Sequence, residues 1–166
     1  HCRATVPGGC RRRASARRLW SGAELSQEIA AIGPRSVRSA GPELLIGGYV
    51  AAIVQRIAKW GDGYMAPGGG EPESMLKTWR EIERAWREAG RSGHPRWVGA
   101  SYFALGPQAL EHATQYIQAN YGYNPELAAK RLRTLPTSEK AVEEAIKRQH
   151  DMGVDEFTLR PCAENF

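Results

Sequence analysis

The residues best suited to chemistry are Gly47, Gly48, Tyr49 and Val50. They follow an apolar run, Leu44-Leu45-Ile46, and lead into a segment with apolar residues at Val50, Ile53, Val54, Ile57, Ala58 and Trp60. The run reads as a buried strand, and the spacing that follows is that of an amphipathic helix. Glycines at such a junction let backbone N–H groups approach an anion, and the helix dipole favours negative charge there. The pair predicts a phosphate cradle for a nucleotide-like cofactor. A plain tight turn is the competing explanation, because a lone Gly-Gly is a weak signal.

Other residue types offer less. Cys2, Cys10 and Cys162 are an odd count without metal-ligand spacing, and His1, His94, His112 and His150 are scattered. The sequence brings no zinc ligands, disulfide framework or Cys/His pair together. No metal is expected and no catalytic residue is assigned. The first 40 residues hold eight arginines against two glutamates, while the remainder is close to neutral. Arg11, Arg12, Arg13, Arg17 and Arg18 could form a nucleic-acid patch, which predicts salt-sensitive binding lost on deleting residues 1–18. They lack aromatic interleaving beyond Trp20 and any recognisable binding motif. The favoured reading is a solvated basic segment with no nucleic-acid partner.

The chemistry needs a frame to hold it. A chain of 166 residues, 42% hydrophobic and 25% charged, is sized and composed for one globular domain. No apolar run approaches the roughly 20 residues that cross a bilayer, and no signal-peptide core opens the chain. The expectation is a cytoplasmic protein with no membrane association.

Along the chain, residues 1–16 read as irregular and residues 17–166 as one domain. Gly61 is expected to stop the first helix in a left-handed conformation. A second strand begins near Asp62, and residues 66–70 form a loop at its C-terminal end. Residues 73–89 read as a helix whose tryptophans, Trp79 and Trp86, lie on the core face rather than stacking on a ligand. A third strand covers residues 96–105. Two helices, 110–121 and 126–135, then make an excursion over its C-terminal end. Ser138 or Thr137 caps a helix that carries Val142, Ala145 and Ile146 inward. Residues 155–161 form the last strand. Four strands alternating with helices predict an α/β fold with parallel strands, either an open doubly wound sheet or part of a closed barrel.

Several motifs together resemble the C-terminal half of the luciferase-like monooxygenase superfamily, whose members use FMN or the deazaflavin F420. They are Arg-Leu-Trp-Ser-Gly at 18–22, the Pro-x-Leu-Leu-Ile-Gly-Gly turn ending at Gly48, and the helix running into Asp62-Gly63-Tyr64. Ala89-Gly90-Arg91, the strand ending Tyr102-Phe103-Ala104-Leu105-Gly106, and Met152-Gly153-Val154-Asp155-Glu156-Phe157 complete the set. The resemblance covers residues 17–161 and fails over residues 1–15.

The resemblance implies the C-terminal half of a TIM (β/α)8 barrel, with about four parallel strands and intervening helices. It implies FMN or coenzyme F420 as cofactor, a small organic substrate, and oxidoreductase or monooxygenase chemistry at the C-terminal ends of the strands. The cofactor phosphate is then expected at Gly47, Gly48, Tyr49 and Val50. Tyr49-Val50 stands where the family often has a hydroxyl-bearing Ser-Pro pair, so backbone donors carry the expectation. A whole barrel takes about 250 residues, and residues 1–15 fit a partial or shifted reading frame. The expectation is therefore a truncated fragment that keeps the cofactor-phosphate turn. The alternative is a non-catalytic, self-associating half barrel, such as a homodimer, that binds a phosphorylated small molecule.

Overall fold

The computed structural model describes residues 18–23, 34, 36–38 and 41–162. The expectations for residues 1–16 lie outside the described residues. The chain divides into two compact units, His1–Glu43 and Leu44–Phe166. In the first, residues 18–20 form a helical turn that the Ser21 hydroxyl closes by donating to the Arg18 carbonyl at 2.8 Å.

The second unit runs β1 (Leu45–Gly47), α1 (Ala52–Trp60), β2 (Gly63–Met65), α2 (Pro72–Glu88), β3 (Arg96–Phe103), α3 (Ala109–Tyr121), α4 (Pro125–Thr134), α5 (Glu139–Asp151) and β4 (Glu156–Pro161). All neighbouring strands are parallel, in the order β1-β2-β3-β4. A doubly wound sheet reverses its winding at a switch point. Here the strands follow chain order, which is the progression of a barrel. The sheet is the four-stranded part of a TIM-type barrel expected from the sequence.

Register decides which side chains meet the helices. Ile46, Tyr64 and Trp97 are Cα partners across β1, β2 and β3, so they share one face. Trp97 stacks on Trp79 of α2 with ring centroids 4.8 Å apart, and both are buried. Ile57 of α1 and Ile82 of α2 complete this core. The tryptophans are packing residues, as their spacing predicts. The opposite face carries Leu45, Met65 and Val98 beside an Arg96–Glu156 ion pair.

The motif residues at the N-terminal edge of the sheet turn out to be structural. The Asp62 carboxylate accepts from the Leu44 N–H at 2.8 Å, and the Asp62 N–H donates to the Leu44 carbonyl at 2.8 Å. Asp155 repeats the device with Trp97, at 2.7 and 2.9 Å. Arg91 donates to the Gly61 carbonyl and, at 3.1 Å, to that of Ile57. Its guanidinium lies 3.5 Å over the Trp86 ring and 3.6 Å from Asp62. Arg91 thereby caps the end of α1, adding a second donor to the Ile57 carbonyl, which already accepts from the Gly61 N–H at 3.0 Å, and a donor to the Gly61 carbonyl beyond the helix.

Two expectations are corrected. Gly61 ends α1 in an extended conformation, φ −82° and ψ 166°, rather than a left-handed one. Glycine is suited to the position by space instead: a Cβ would lie 3.1 Å from both Ile46 Cδ1 and Ile57 Cα. On α5, Val142 and Ala145 are half-buried but Ile146 is exposed, and no residue of the helix is fully buried. The sheet-facing stripe runs Val142, Ala145, Gln149, Met152, which leaves Ile146 about 100° of helical rotation from Ala145. Ser138 caps the helix as expected, accepting from the Ala141 N–H at 3.2 Å.

Helices α3 and α4 form their own small core of Ala104, Ala109, Ala113, Ile117, Ala128, Leu135 and Cys162. Burial pushes the Cys162 thiol up to about 11.

Candidate functional site

At the C-terminal edge of the sheet, the β1–α1 and β2–α2 connections wall a cleft of about 670 Å³. Gly48, Tyr49 and Val50 line one side, Gly68, Gly69 and Gly70 another, and Leu127 and Lys130 of α4, with its N-cap Asn124, a third. The volume falls within the usual range for small-molecule sites.

The β1–α1 turn has the properties of an anion cradle. Gly48 has φ +143°, and a Cβ there would come within 3.1 Å of Ile53 Cγ2. The position therefore favours glycine on both backbone and space grounds. No side chain caps the N-terminus of α1, where Ala51 stands at the N-cap, and its first turn holds no acidic residue. The positive end of that helix is left without a carboxylate of its own. Tyr49 and Val50 are largely exposed, so toward an anion the turn can offer their backbone N–H groups. Gly47 is the last residue of β1 and does not line the cleft; a Cβ on it would lie 3.2 Å from the Met65 carbonyl oxygen.

The second connection is fixed from above. Arg131 of α4 is 8% exposed, and donates through Nη1 to the Gly68 carbonyl at 3.2 Å and through Nη2 to the Tyr49 hydroxyl at 3.0 Å. Its guanidinium carbon lies 4.2 Å from the centroid of the Tyr121 ring. The Tyr121 and Tyr102 hydroxyls are hydrogen-bonded to one another at 2.8 Å. Burial, then the bond to Tyr102, pushes Tyr121 up to about 12 despite the opposing pull of Arg131. Tyr64 is likewise pushed up to about 12, first by burial and then by Tyr49. These phenols are neutral near pH 7. Below them a cavity of about 110 Å³ is lined by Ser101, Tyr102, Tyr121, Arg131 and Arg160, with Pro67 and Gly68 shared with the larger cleft.

Sequence reasoning brought Gly48, Tyr49 and Val50 to the cleft but missed Arg131 and the tyrosine pair. A signal for Arg131 exists. Leu127, Ala128, Arg131, Leu132 and Leu135 fall at i, i+1, i+4, i+5 and i+8, so the arginine occupies the inward stripe of α4. Among the described residues no group of His, Cys, Asp and Glu is placed to hold a metal, and no helix is long and apolar enough to cross a membrane.

No family model matches the sequence, and no curated protein matches it. Solved structures do match its fold. An F420-dependent secondary alcohol dehydrogenase, solved with an F420-acetone adduct, superposes with a TM-score of 0.61 at 15% identity, over 92% of this chain and 55% of that one. The coenzyme F420 dependent tetrahydromethanopterin reductase from Methanopyrus kandleri gives 0.59 at 14% identity, over 94% and 58%. The monooxygenase RslO1 from Streptomyces bottropensis gives 0.56 at 18% identity, over 97% and 61%. The chain thus spans between 55% and 61% of the length of these structures. At such identities the likeness is one of fold, and the fold that the resemblance implies is the one these structures share with this chain.

Proposed function

We propose that this chain is part of a flavin- or F420-dependent oxidoreductase of the luciferase-like kind, and that Gly48, Tyr49 and Val50, with the N-terminus of α1, hold the phosphate of FMN or F420. The observation that carries the reading is the uncapped helix end, free of first-turn acids, opening on the cleft beside Gly48. The fold shared with two F420-dependent enzymes and a monooxygenase supports it. Gly47 serves the same turn from beneath, through its tight approach to Met65.

The residues present fit such a group. The turn offers backbone donors, the cleft has room, and Lys77 and Lys130 line it together with Glu71 and Glu81. Bound there, the cofactor would supply two-electron chemistry with a small organic substrate. The chain's own part is to bind and orient: α1 and the turn fix the phosphate, while α3 and α4 wall the strand ends against water. A fragment that keeps the phosphate turn, working in the cytoplasm, belongs to the same proposal. The proposal is tested by titrating the chain with FMN and with F420 and following cofactor fluorescence. Saturable micromolar binding of either supports it, and no binding of both rejects it.

A second reading rests on the sheet itself. Among the described residues β1 pairs only with β2 and β4 only with β3. Open edges favour strand addition, so a homodimeric half barrel that binds a phosphorylated compound without turnover is the alternative. Sedimentation showing a dimer that phosphate stabilises, together with no redox activity, would favour it.

A further inference from the structure

We propose that the small cavity beneath Arg131 is a second anion subsite, which takes a carboxylate or phosphate of a small ligand whose other end lies in the larger cleft. Arg131 is 8% exposed, and among the described residues no carboxylate pairs with it. A carbonyl and a phenol answer two of its N–H groups, at Gly68 and Tyr49, but neither neutralises its charge. A guanidinium has five donors, and Nε here has no partner. A buried charge without a counter-ion is unfavourable, and an anionic ligand removes that penalty.

The lining points the same way. Arg160 is the Cα partner of Tyr102, so the two share a face of the sheet, and both line the cavity with Tyr121. No acidic residue is among the described lining residues. A space of about 110 Å³ holds three or four waters, or a single carboxylate or phosphate group. Pro67 and Gly68 line both the cavity and the cleft, so the two spaces adjoin, and the proposed ligand would lie across them. That this molecule is the substrate, and hence a small organic acid or phosphate ester, rests on the oxidoreductase reading. The anion site itself does not.

The test is residue-resolved NMR on the full chain, titrated separately with sodium acetate and sodium phosphate at constant ionic strength. The Arg131 Nε–H resonance is expected to shift saturably with at least one anion and not with chloride. A response to acetate alone identifies a carboxylate site, and a response to phosphate alone a phosphoryl site. Arg131→Lys, with its single point charge, is expected to weaken the binding about tenfold. Should that variant not fold, the exposed Arg160→Gln change is expected to weaken it severalfold. A resonance indifferent to both anions, or moving equally with chloride, overturns the subsite. Backbone amides of Tyr49, Val50, Ala51 and Ala52 report separately on the cofactor turn, so either site can fail while the other stands.

Discussion

The Arg131 guanidinium donates a 3.0 Å hydrogen bond to the Tyr49 hydroxyl, joining α4 to the β1–α1 turn across 82 residues of sequence. The same guanidinium holds Gly68 at 3.2 Å, so one buried side chain fixes both loops that wall the cleft. Loops at strand ends are usually the mobile part of a barrel. Here two of them are tied to one cation.

The Tyr49–Arg131 bond predicts that Tyr49→Phe leaves a buried N–H without its partner. Stability to urea should fall by about 1 kcal/mol, with the slope of the transition unchanged. A variant as stable as the wild type would show that the bond contributes nothing to closing the loops.

At the other edge of the sheet, Arg91→Met should be more damaging than its exposure suggests. It removes the donors that serve the carbonyls of Ile57 and Gly61 and leaves Asp62 without its 3.6 Å partner. A loss of about 2 kcal/mol is expected by urea unfolding. Cofactor affinity of the folded fraction should be unchanged, because Arg91 does not line the cleft.

Gly63→Ala should unfold or severely weaken the protein. A Cβ at that position would stand 2.2 Å from the Arg96 carbonyl oxygen and 2.8 Å from Leu45 Cδ2, between two strands that cannot separate without breaking the ladder. Overpacking of this kind costs about 3 kcal/mol or more. Gly93→Ala is the contrast. Its Cβ meets nothing within 4 Å, and only φ +68° opposes it, so about 1 kcal/mol is expected. Thermal unfolding of both variants checks the pair.

Alkali should destabilise the fold through Tyr64 and Tyr121. Each is raised from 10.0 to about 12. A raised folded-state value means the native state keeps a proton that the unfolded chain releases. Their stabilisation is therefore complete below pH 10, and is lost as pH rises from 10 through 12. Absorbance titration should show tyrosine ionisation extending toward pH 12, with urea stability falling over the same interval. Ionisation of Tyr64 and Tyr121 near pH 10 would contradict the account.

Much of the fold was legible because each element carries its own period and punctuation. The Leu44-Leu45-Ile46 run, the stripe through Ile53 and Ile57, and Ser138 before α5 are local signals, and local physics decides them. Gly61 misled because its reason is tertiary: Ile46 approaches from another element, and no single-helix rule contains that contact. Ile146 misled because an apolar residue next to a half-buried stripe looks like part of it. The site divides the same way. The Gly48 turn is written in adjacent residues. The Arg131 cluster is assembled from Tyr49, Gly68, Tyr102 and Tyr121, which only the barrel brings together.

The central claim, that the β1–α1 turn holds a cofactor phosphate, is tested most directly by comparing FMN with riboflavin, which lacks only the phosphate. The wild-type chain should bind FMN at least about tenfold more tightly than riboflavin, as charge-assisted bonds to backbone N–H groups require. Gly48→Val, strained at φ +143° and crowded by Ile53, should erase that difference while the protein remains folded by circular dichroism. In a chain that binds flavin, equal affinities for FMN and riboflavin, or a phosphate preference that survives Gly48→Val, would contradict the account.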